Sequence, residues 1–589
     1  MKFRLDWIQT LNRHTLSADL MAGLTGAIIA LPQGVAYAMI AGMPPETGLY
    51  TSIISAAIAA LLGSSWQMIS GPAAAISMVL MSIVSGVAEP GSAEFVSTLL
   101  SLTLLTGLIQ LGFGILRLGA LINFISHTVV IGFTAGAAIL IAASQLRHLL
   151  GLEIPRGLNL FETLAALGSQ IADSHLPSLA IGLTTLFGAW GIRQINRRLP
   201  HLLGGLLLGA LLCQLIGGAE RGVTMLGALP SGLPVPLLPE IGLSTFGELA
   251  SGALALALLG LIEAVSIARA IATRSHQQID GNREFIAQGA ANAIGSFFSC
   301  FAGSGSFTRS GANYDAGART PLAALFNAAI IALVVMLAPQ ITAWLPLPAM
   351  AGLILLIAWN LIDRAHIRQI LQVSRNESLI LLTTFAATLL VNPEFSIYVG
   401  VLLSIALYLR RTSRPSVIPV APVPQRPRRS LRNIRRNQLR ECPQFQLIRI
   451  DGSMFFGCVE HIQQHLRALA EQNPARPFIL IIGKGINFMD ISAVEMLIQE
   501  KQQIEARGGK LVFSSFKGTV LDELRRSGLL AKIGEELFFD SSEEAIAAVV
   551  PQLDREICDN CTARVFRECP PLPAPPPAEH LQPGDRGDS

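Results

Sequence analysis

The sequence predicts a polytopic α-helical membrane protein that ends in a soluble α/β domain, and three observations predict it. Of 589 residues, 51% are hydrophobic and 14% charged, and the mean hydropathy is +0.52, more apolar than a water-soluble chain of this length sustains. Apolar runs near the roughly 20 residues that a spanning helix needs fill most of the chain as far as Leu409. Beyond Leu409 short apolar runs alternate with amphipathic stretches, the pattern of a helix-flanked sheet.

Charge placement orients the spans. No Lys or Arg occurs from His14 to Leu116, and after Lys2 no lysine recurs until Lys484. A net charge of +3 says little, but its distribution says more. Positive residues gather as Lys2, Arg4 and Arg13; as Arg193, Arg197 and Arg198; as Arg269, Arg274 and Arg283; and as Arg364, Arg368 and Arg375. From Arg410 to Arg440 there are ten arginines and no acid, a stop-transfer signal. By the positive-inside rule these patches are cytoplasmic, so an even number of crossings separates the N-terminus from Arg410. Apolar segments number about twelve to fourteen, and fourteen fits best because it puts every arginine patch on one side. The expected location is the cell (inner) membrane with both termini cytoplasmic. The polar N-terminal stretch predicts no cleavable signal peptide.

Within the apolar region the irregular segments carry the chemistry. "TGAIIALPQGVAYAMIAGMPPETG" places Pro32 and Gln33 at expected bilayer depth, where a lost donor and a buried amide are costly unless they face protein or a water-filled cavity. "MISGPAAAISMVLMSIV" (Met68 to Val84) and "FAGSGSFTRSGANYDAGARTP" (Phe301 to Pro321) each begin with Gly, Ser and Pro or Gly and then turn helical. Interrupted helices in corresponding places of two halves mark a transporter built from inverted repeats, here seven plus seven. Two half-helix N-termini would meet near the midplane and favour an anion. For single glycines and serines, close helix packing is an equally physical explanation.

Arg309 sits just inside the second half-helix, where a charge at depth marks a pathway, a counter-ion or a structural pair. Glu263, in the otherwise apolar "LALALLGLIEAVSIARAIA", is the candidate partner. It reads either as a proton-coupling group, pulled between desolvation and a nearby arginine, or as a fixed ion-pair partner. Asp315, two turns beyond Arg309, reads as facing water or an adjoining helix.

These residues carry a resemblance. "ADLMAGLTGAIIALPQGVAYAMIAGMPPETGLYTSI", with Asp19, Ala22, Gly23, Pro32, Gln33, Gly34, Ala36, Tyr37, Ala38, Gly48, Leu49 and Tyr50, is similar to the signature region of the SulP family of anion permeases. "SGPAAAIS" and "GSGSFTRSGAN" resemble that family's third- and tenth-helix starts, and the tail resembles a STAS domain, through about Val550. The resemblance implies seven plus seven inverted helices divided into core and gate domains, with the anion held between the third and tenth helices. It implies a substrate site of Gln33 and Tyr37, of Ala73, Ala74 and Ala75 through their backbone N–H groups, and of Ser306, Phe307, Thr308, Arg309 and Ser310. Pro32 is then expected to interrupt the first helix, and Glu263 to take the acidic position of the eighth. Sodium-coupled bicarbonate members have hydroxyl residues where this chain has Ile267 and Phe307, and hard cations want oxygen. Proton symport or anion exchange is therefore expected, with sulfate, bicarbonate or a C4-dicarboxylate as substrate.

The tail reads independently as α/β. "FQLIRIDGSMFFG" and "PFILIIGKG" read as strands, and "CVEHIQQHLRALAEQ", "DISAVEMLIQEKQQIEA", "GTVLDELRRSGLLAKIG" and "SSEEAIAAVVPQL" as helices. In STAS domains the loop ahead of "DISAVEML" is a functional surface, and in anti-sigma antagonists a serine there is phosphorylated; Asp490 and Ser492 match that motif. Ser492 also reads as the N-cap of the following helix, with Glu495 completing a capping box. No nucleotide-binding loop is present. Seven cysteines include "CDNCTARVFREC", where Cys558, Cys561 and Cys569 supply three of the four ligands that a closed metal site ordinarily needs, with His580 or a second subunit as a source of the fourth. Reduced cytosolic thiols on a fading tail are the plainer reading, so no metal and no cofactor is expected.

The predicted organisation is a cytoplasmic N-terminus (1–14), a transmembrane anion-transport domain (15–409), an Arg-rich linker (410–442), a STAS domain (443–553), and a Cys-containing, Pro-rich disordered tail (554–589). The linker would attract anionic lipid, and no aromatic interleaving supports nucleic-acid binding. Expected partners are a small anion, protons, membrane lipid, a second copy of the chain, and a cytosolic protein on the STAS domain. No enzyme activity is expected. The leading reading is secondary active transport by alternating access, elevator-like. A membrane-anchored STAS scaffold, or an uncoupled carrier or channel, is the alternative, and intact Gln33, Glu263 and Arg309 favour transport.

Overall fold

In a computed structural model of the chain, the described residues are 6–119, 126–155, 158–196, 200–227, 232–239, 243–337, 339–423, 430–472 and 477–570. Lys2, Arg4, Arg197, Arg198, Arg426, Arg428, Arg429, His580 and the Pro-rich stretch from residue 571 lie outside them. The chain forms two compact units, Met1–Ile405 and Ala406–Ser589.

The first unit is helical, in two series that follow one order. The first series is α1 (Arg13–Ala41), α2 (Pro45–Leu62), α3 (Ala74–Val84), α4 (Ala93–Ile115), α5 (His127–Leu150), α6 (Leu160–Gln170), α7 (Leu176–Ile195) and α8 (His201–Leu215). The second is α9 (Leu243–Ser275), α10 (Gly281–Ser296), α11 (Phe307–Asp315), α12 (Leu322–Leu337), α13 (Leu347–Leu361), α14 (Arg364–Val373), α15 (Arg375–Leu390) and α16 (Pro393–Thr412). The third member of each series is short and follows a two-residue strand, β1 (Ser70–Gly71) before α3 and β2 (Ser304–Gly305) before α11. The sixth members, α6 and α14, bury almost nothing of themselves. Among the described residues, seven helical stretches are long and apolar enough to cross a membrane, and α3, α8 and α12 are shorter apolar helices.

β1 and β2 pair antiparallel, Ser70 with Gly305 and Gly71 with Ser304. Each short strand supplies the backbone partners that the other would lack in hydrocarbon. The approach is tight: a Cβ on Gly303 would run into the Gly71 carbonyl.

One local expectation fails. Pro32 does not interrupt α1, which runs unbroken from Arg13 to Ala41 with Pro32 inside it. The proline removes a single donor, so one carbonyl a turn earlier loses its partner while the flanking bonds of a long helix persist.

The second unit is a six-stranded sheet in the order β4-β3-β5-β6-β7-β8. Its elements are β3 (Ser416–Pro422), β4 (Leu431–Asn433), α17 (Ile434–Asn437), β5 (Phe445–Asp451), α18 (Val459–Gln472), β6 (Phe478–Gly485), α19 (Ile491–Ala506), β7 (Lys510–Ser514), α20 (Gly518–Arg526), α21 (Leu529–Ile533), β8 (Phe538–Phe539), α22 (Ser542–Val549) and α23 (Arg555–Asp559). Strands β5 to β8 are parallel, and β3 runs antiparallel to β4 and β5. Ile448, Ile450, Leu480, Ile481, Val512 and Phe513 form its core with Ile462, Leu466, Val494 and Leu497 of the covering helices.

Three expectations are corrected here. The span 410–442 is not a plain linker, since it contains β3 and β4, with Val420 and Ala421 each only 2% exposed. Pro419 and Pro422 hid the strand, which tolerates them because its first half pairs only with β5 and its second half only with β4. The described part of the tail, 554–570, is folded: it holds α23, and Phe566 is buried in the core against Phe445. The N-cap of α19 is Asp490, whose Oδ1 accepts from Ala493 N–H at 2.9 Å while Oδ2 accepts from Phe456 N–H at 2.8 Å. Ser492 lies inside the first turn. A carboxylate two residues earlier brings a negative charge to the helix dipole and a second oxygen to a neighbouring loop.

Candidate anion site

The site is built where α1, α3, α9 and α11 meet around the β1–β2 pair. Pro72 and Ala73 carry β1 into α3, Ser306 carries β2 into α11, and both helices begin there with backbone donors to spare. Ala73 is the N-cap of α3 and offers no side-chain acceptor, so the N–H groups of the following turn, Ala74 and Ala75 among them, are uncapped. Ser306 caps α11, but its hydroxyl is a long 3.4 Å from Arg309 N–H. Ser306 N–H is spent on Ile69 O at 3.0 Å.

Arg309 is fully buried. Its Nη2 donates to Pro72 O at 2.9 Å, which ties α11 to the turn before α3, while Nε and Nη1 have no protein acceptor. Gly71, at φ +151, makes room for it: a Cβ there would stand 3.0 Å from Nη2. Glu263 of α9 is close enough to act electrostatically on Arg309 and on Tyr37. Among the described residues, however, no ion pair joins Glu263 to Arg309, and Glu263 Oε2 is buried without a donor. The side-chain amide of Gln33 is in the same condition, 2% exposed with Oε1 unpartnered. A buried polar group without a partner costs about 1–3 kcal/mol, and Arg309, Glu263 and Gln33 each carry one.

The remaining expected residues divide. Ser310 is turned to structural use: its hydroxyl accepts from Ile69 N–H at 2.9 Å and is fully buried. Phe307 is 58% exposed and Thr308 is also exposed, so neither side chain closes on Arg309. Ile267 is packed in a small apolar cluster with Met68 and Ala264. Asp315 pairs with Arg274 at 2.8 Å. Asp19 is buried and ties α1 to the loop before α12, accepting from Arg319 N–H at 2.6 Å, Thr320 N–H at 3.0 Å and Thr320 Oγ1 at 2.6 Å.

A second layer went unread in the sequence. Asn292 donates to Gln110 Oε1 at 2.8 Å and accepts from Gly303 N–H at 2.9 Å; Gln288 donates to Ser70 Oγ at 2.7 Å; Ser304 Oγ donates to Gly260 O at 2.7 Å. Thr51 and Thr103 accept from the N–H groups of Phe301 and Ala302 at 3.1 and 3.0 Å. Gln110, Gln288 and Asn292 are amides among small and apolar residues, the same signal that singled out Gln33. Near the C-terminal end of α11, a cleft of about 1120 Å³ is lined by Gln67, Arg274, Arg283, Tyr314, Asp315 and Arg319 among others.

Comparison with known proteins places this arrangement. Residues 16–384 match the Sulfate permease family and residues 437–545 match the STAS domain. The low affinity sulfate transporter 3 of Stylosanthes hamata is 30% identical over 576 residues, spanning 92% of this chain and 89% of that one. The murine solute carrier 26 family member A9 anion transporter, solved in the inward-facing state, superposes with a TM-score of 0.84 at 20% identity over 92% of this chain and 93% of that one. The transmembrane domain of a cyanobacterium bicarbonate transporter gives a TM-score of 0.59 at 25% identity over 67% of this chain and 98% of that one. A profile match over well more than half of the chain, with the STAS match behind it, settles the class: this chain is a multi-pass membrane protein of the sulfate permease family, a family of transporters and not of enzymes, with a C-terminal STAS domain.

Proposed function

We propose that the chain is a secondary active transporter of a small oxyanion or carboxylate, sulfate, bicarbonate or a C4-dicarboxylate, coupled to protons or to a counter-anion. The observation that carries this is Arg309 beside the uncapped start of α3, a buried guanidinium whose Nε and Nη1 have no protein acceptor next to backbone N–H groups that no side chain caps. Such donors, at a helix N-terminus, favour a negative charge. Glu263 is the coupling group: protonated it leaves Arg309 free to hold an anion, and ionised it competes with the anion for the guanidinium. The 1120 Å³ cleft beside α11 is the cytoplasmic approach, with Arg274, Arg283 and Arg319 on its walls. Fourteen crossings in two inverted sets of seven, α6 and α14 lying at the surface, match the repeated order of elements and support alternating access. The chain works as a homodimer in the cell membrane with both termini cytoplasmic. The STAS loop at Asp490 and Ser492 is a surface for a cytosolic protein, a reading that exposed Phe456, Phe488 and Ile491 support.

The test is uptake of radiolabelled sulfate, bicarbonate, fumarate and succinate into proteoliposomes, with and without an inward proton gradient. One anion should accumulate with the gradient, and Glu263→Gln should abolish the gradient dependence. Wild-type protein that moves none of them under any gradient refutes this substrate class.

A further inference from the structure

Four of the seven cysteines converge in the C-terminal unit. Cys442, Cys558, Cys561 and Cys569 all line one cavity of about 10 Å³ together with Gln444 and Arg564. A space of that size admits about one water-sized body, so it suits a single ion and is too small for an iron–sulfur cluster. The ligand missing from the C-terminal sequence motif is thus supplied from the other end of the domain, by the Cys-Pro turn that leads into β5.

The surroundings are those of a ligand set. Cys442 and Cys558 each stand within electrostatic reach of both Cys561 and Cys569. The backbone N–H groups of Gln444 and Phe445 are directed at the sulfur of Cys442. Two amides aimed at one cysteine sulfur orient it as a thiolate ligand. Gln444, 3% exposed, holds the far side: Nε2 donates to Cys558 Sγ at 3.3 Å and to Asp554 O at 3.0 Å, and Oε1 accepts from Asp554 N–H at 2.9 Å. Arg564 lines the same cavity with Nε and Nη1 buried and without a protein acceptor. Four thiolates around a divalent ion leave two negative charges, and a buried guanidinium offsets one of them. No three Cys, His, Asp or Glu side chains among the described residues stand where they would hold a metal ion, so a bound ion requires the sulfurs to close in from the positions seen here.

We propose that Cys442, Cys558, Cys561 and Cys569 bind one Zn²⁺ ion in a closed tetrahedral site that clips the segment after α22 to the start of β5. Four S–H groups are exchanged for four S–Zn bonds with release of up to four protons, so affinity rises with pH. Nothing is oxidised or reduced.

The experiment uses the full-length protein in detergent, purified without chelators. Elemental analysis should find about one zinc per chain in wild type and in Cys213→Ser, and less than about a fifth of that in Cys442→Ser and Cys561→Ser. Exchange with Co²⁺ should give the sulfur-to-cobalt charge-transfer and tetrahedral d–d bands of an all-thiolate site, a measurement on wild type that stands even if a variant does not fold. No bound metal after reconstitution with Zn²⁺ or Co²⁺ overturns the proposal. So does a disulfide among the four cysteines, iron with acid-labile sulfide, or full zinc retention in Cys442→Ser.

Discussion

At the scale of single residues the site depends on Arg309, which does two things with one guanidinium. Nη2 fastens α11 to Pro72 O, and Nε and Nη1, which have no protein acceptor, are the groups proposed to hold the anion. A lysine has one compact charge and no planar fork, so Arg309→Lys retains attraction but loses the geometry. Transport by Arg309→Lys should fall about tenfold, and Arg309→Gln should fall to background, because a charge-assisted hydrogen bond contributes about 1.5–3 kcal/mol. Initial rates of anion uptake in proteoliposomes check this, with reconstituted protein matched by amount. An Arg309→Gln variant that transports at wild-type rate removes Arg309 from the binding site. Residues of this kind were legible in the sequence because an ionisable or amide side chain in an apolar run is conspicuous. What was not legible was direction. Phe307, Thr308 and Ser310 sit in the same short motif as Arg309, yet the first two point outward and the third bonds Ile69, which only the helix phase and the pairing of β1 with β2 decide.

At the scale of elements, close helix approach is set by glycines. A Cβ on Gly48 of α2 would run into the Gly34 carbonyl of α1, and one on Gly107 of α4 into the Ala293 backbone of α10. Small residues let backbones touch where lipid supplies no hydrophobic force between helices. Gly48→Ala should therefore separate α1 from α2 at a cost of about 1–3 kcal/mol, read as a fall of several degrees in the thermal midpoint of the detergent-solubilised protein. Gly112→Ala meets nothing within 4 Å and should leave that midpoint unchanged or slightly raised. Equal midpoints for Gly48→Ala and Gly112→Ala would show that the α1–α2 crossing is not tightly packed. Element type was legible where a pattern ran long enough: both half-helices, the strands at 445 and 478, and the helices that follow them. It failed where a local signal was outvoted, as at Pro32, which a long helix absorbs, and at Ser492, which Asp490 displaces as the cap.

At the scale of the whole molecule composition hid where the sheet of the second unit begins. Ten arginines and several prolines between Arg410 and Arg440 look like a tether, yet β3 and β4 belong to the sheet and add an antiparallel edge to its parallel strands. Register is the reason this matters. Ser416 to Pro419 pair with Asp451 to Ile448, so without β3 the flank of β5 is an open edge carrying Ile448 and Ile450. An unprotected apolar edge invites association with another chain, and a buried Val or Ile contributes about 1.5–3 kcal/mol that would be lost. A soluble fragment of residues 414–570 should accordingly unfold cooperatively as a monomer in urea. One of residues 440–570, which keeps Cys442 and lacks β3 and β4, should be less stable by at least about 3 kcal/mol or self-associate. Circular dichroism in urea and sedimentation equilibrium on both fragments decide it. Equal stability and a monomeric state for both would mean that β3 and β4 are an ornament on a domain that starts near Cys442, and the boundary read from composition would stand after all.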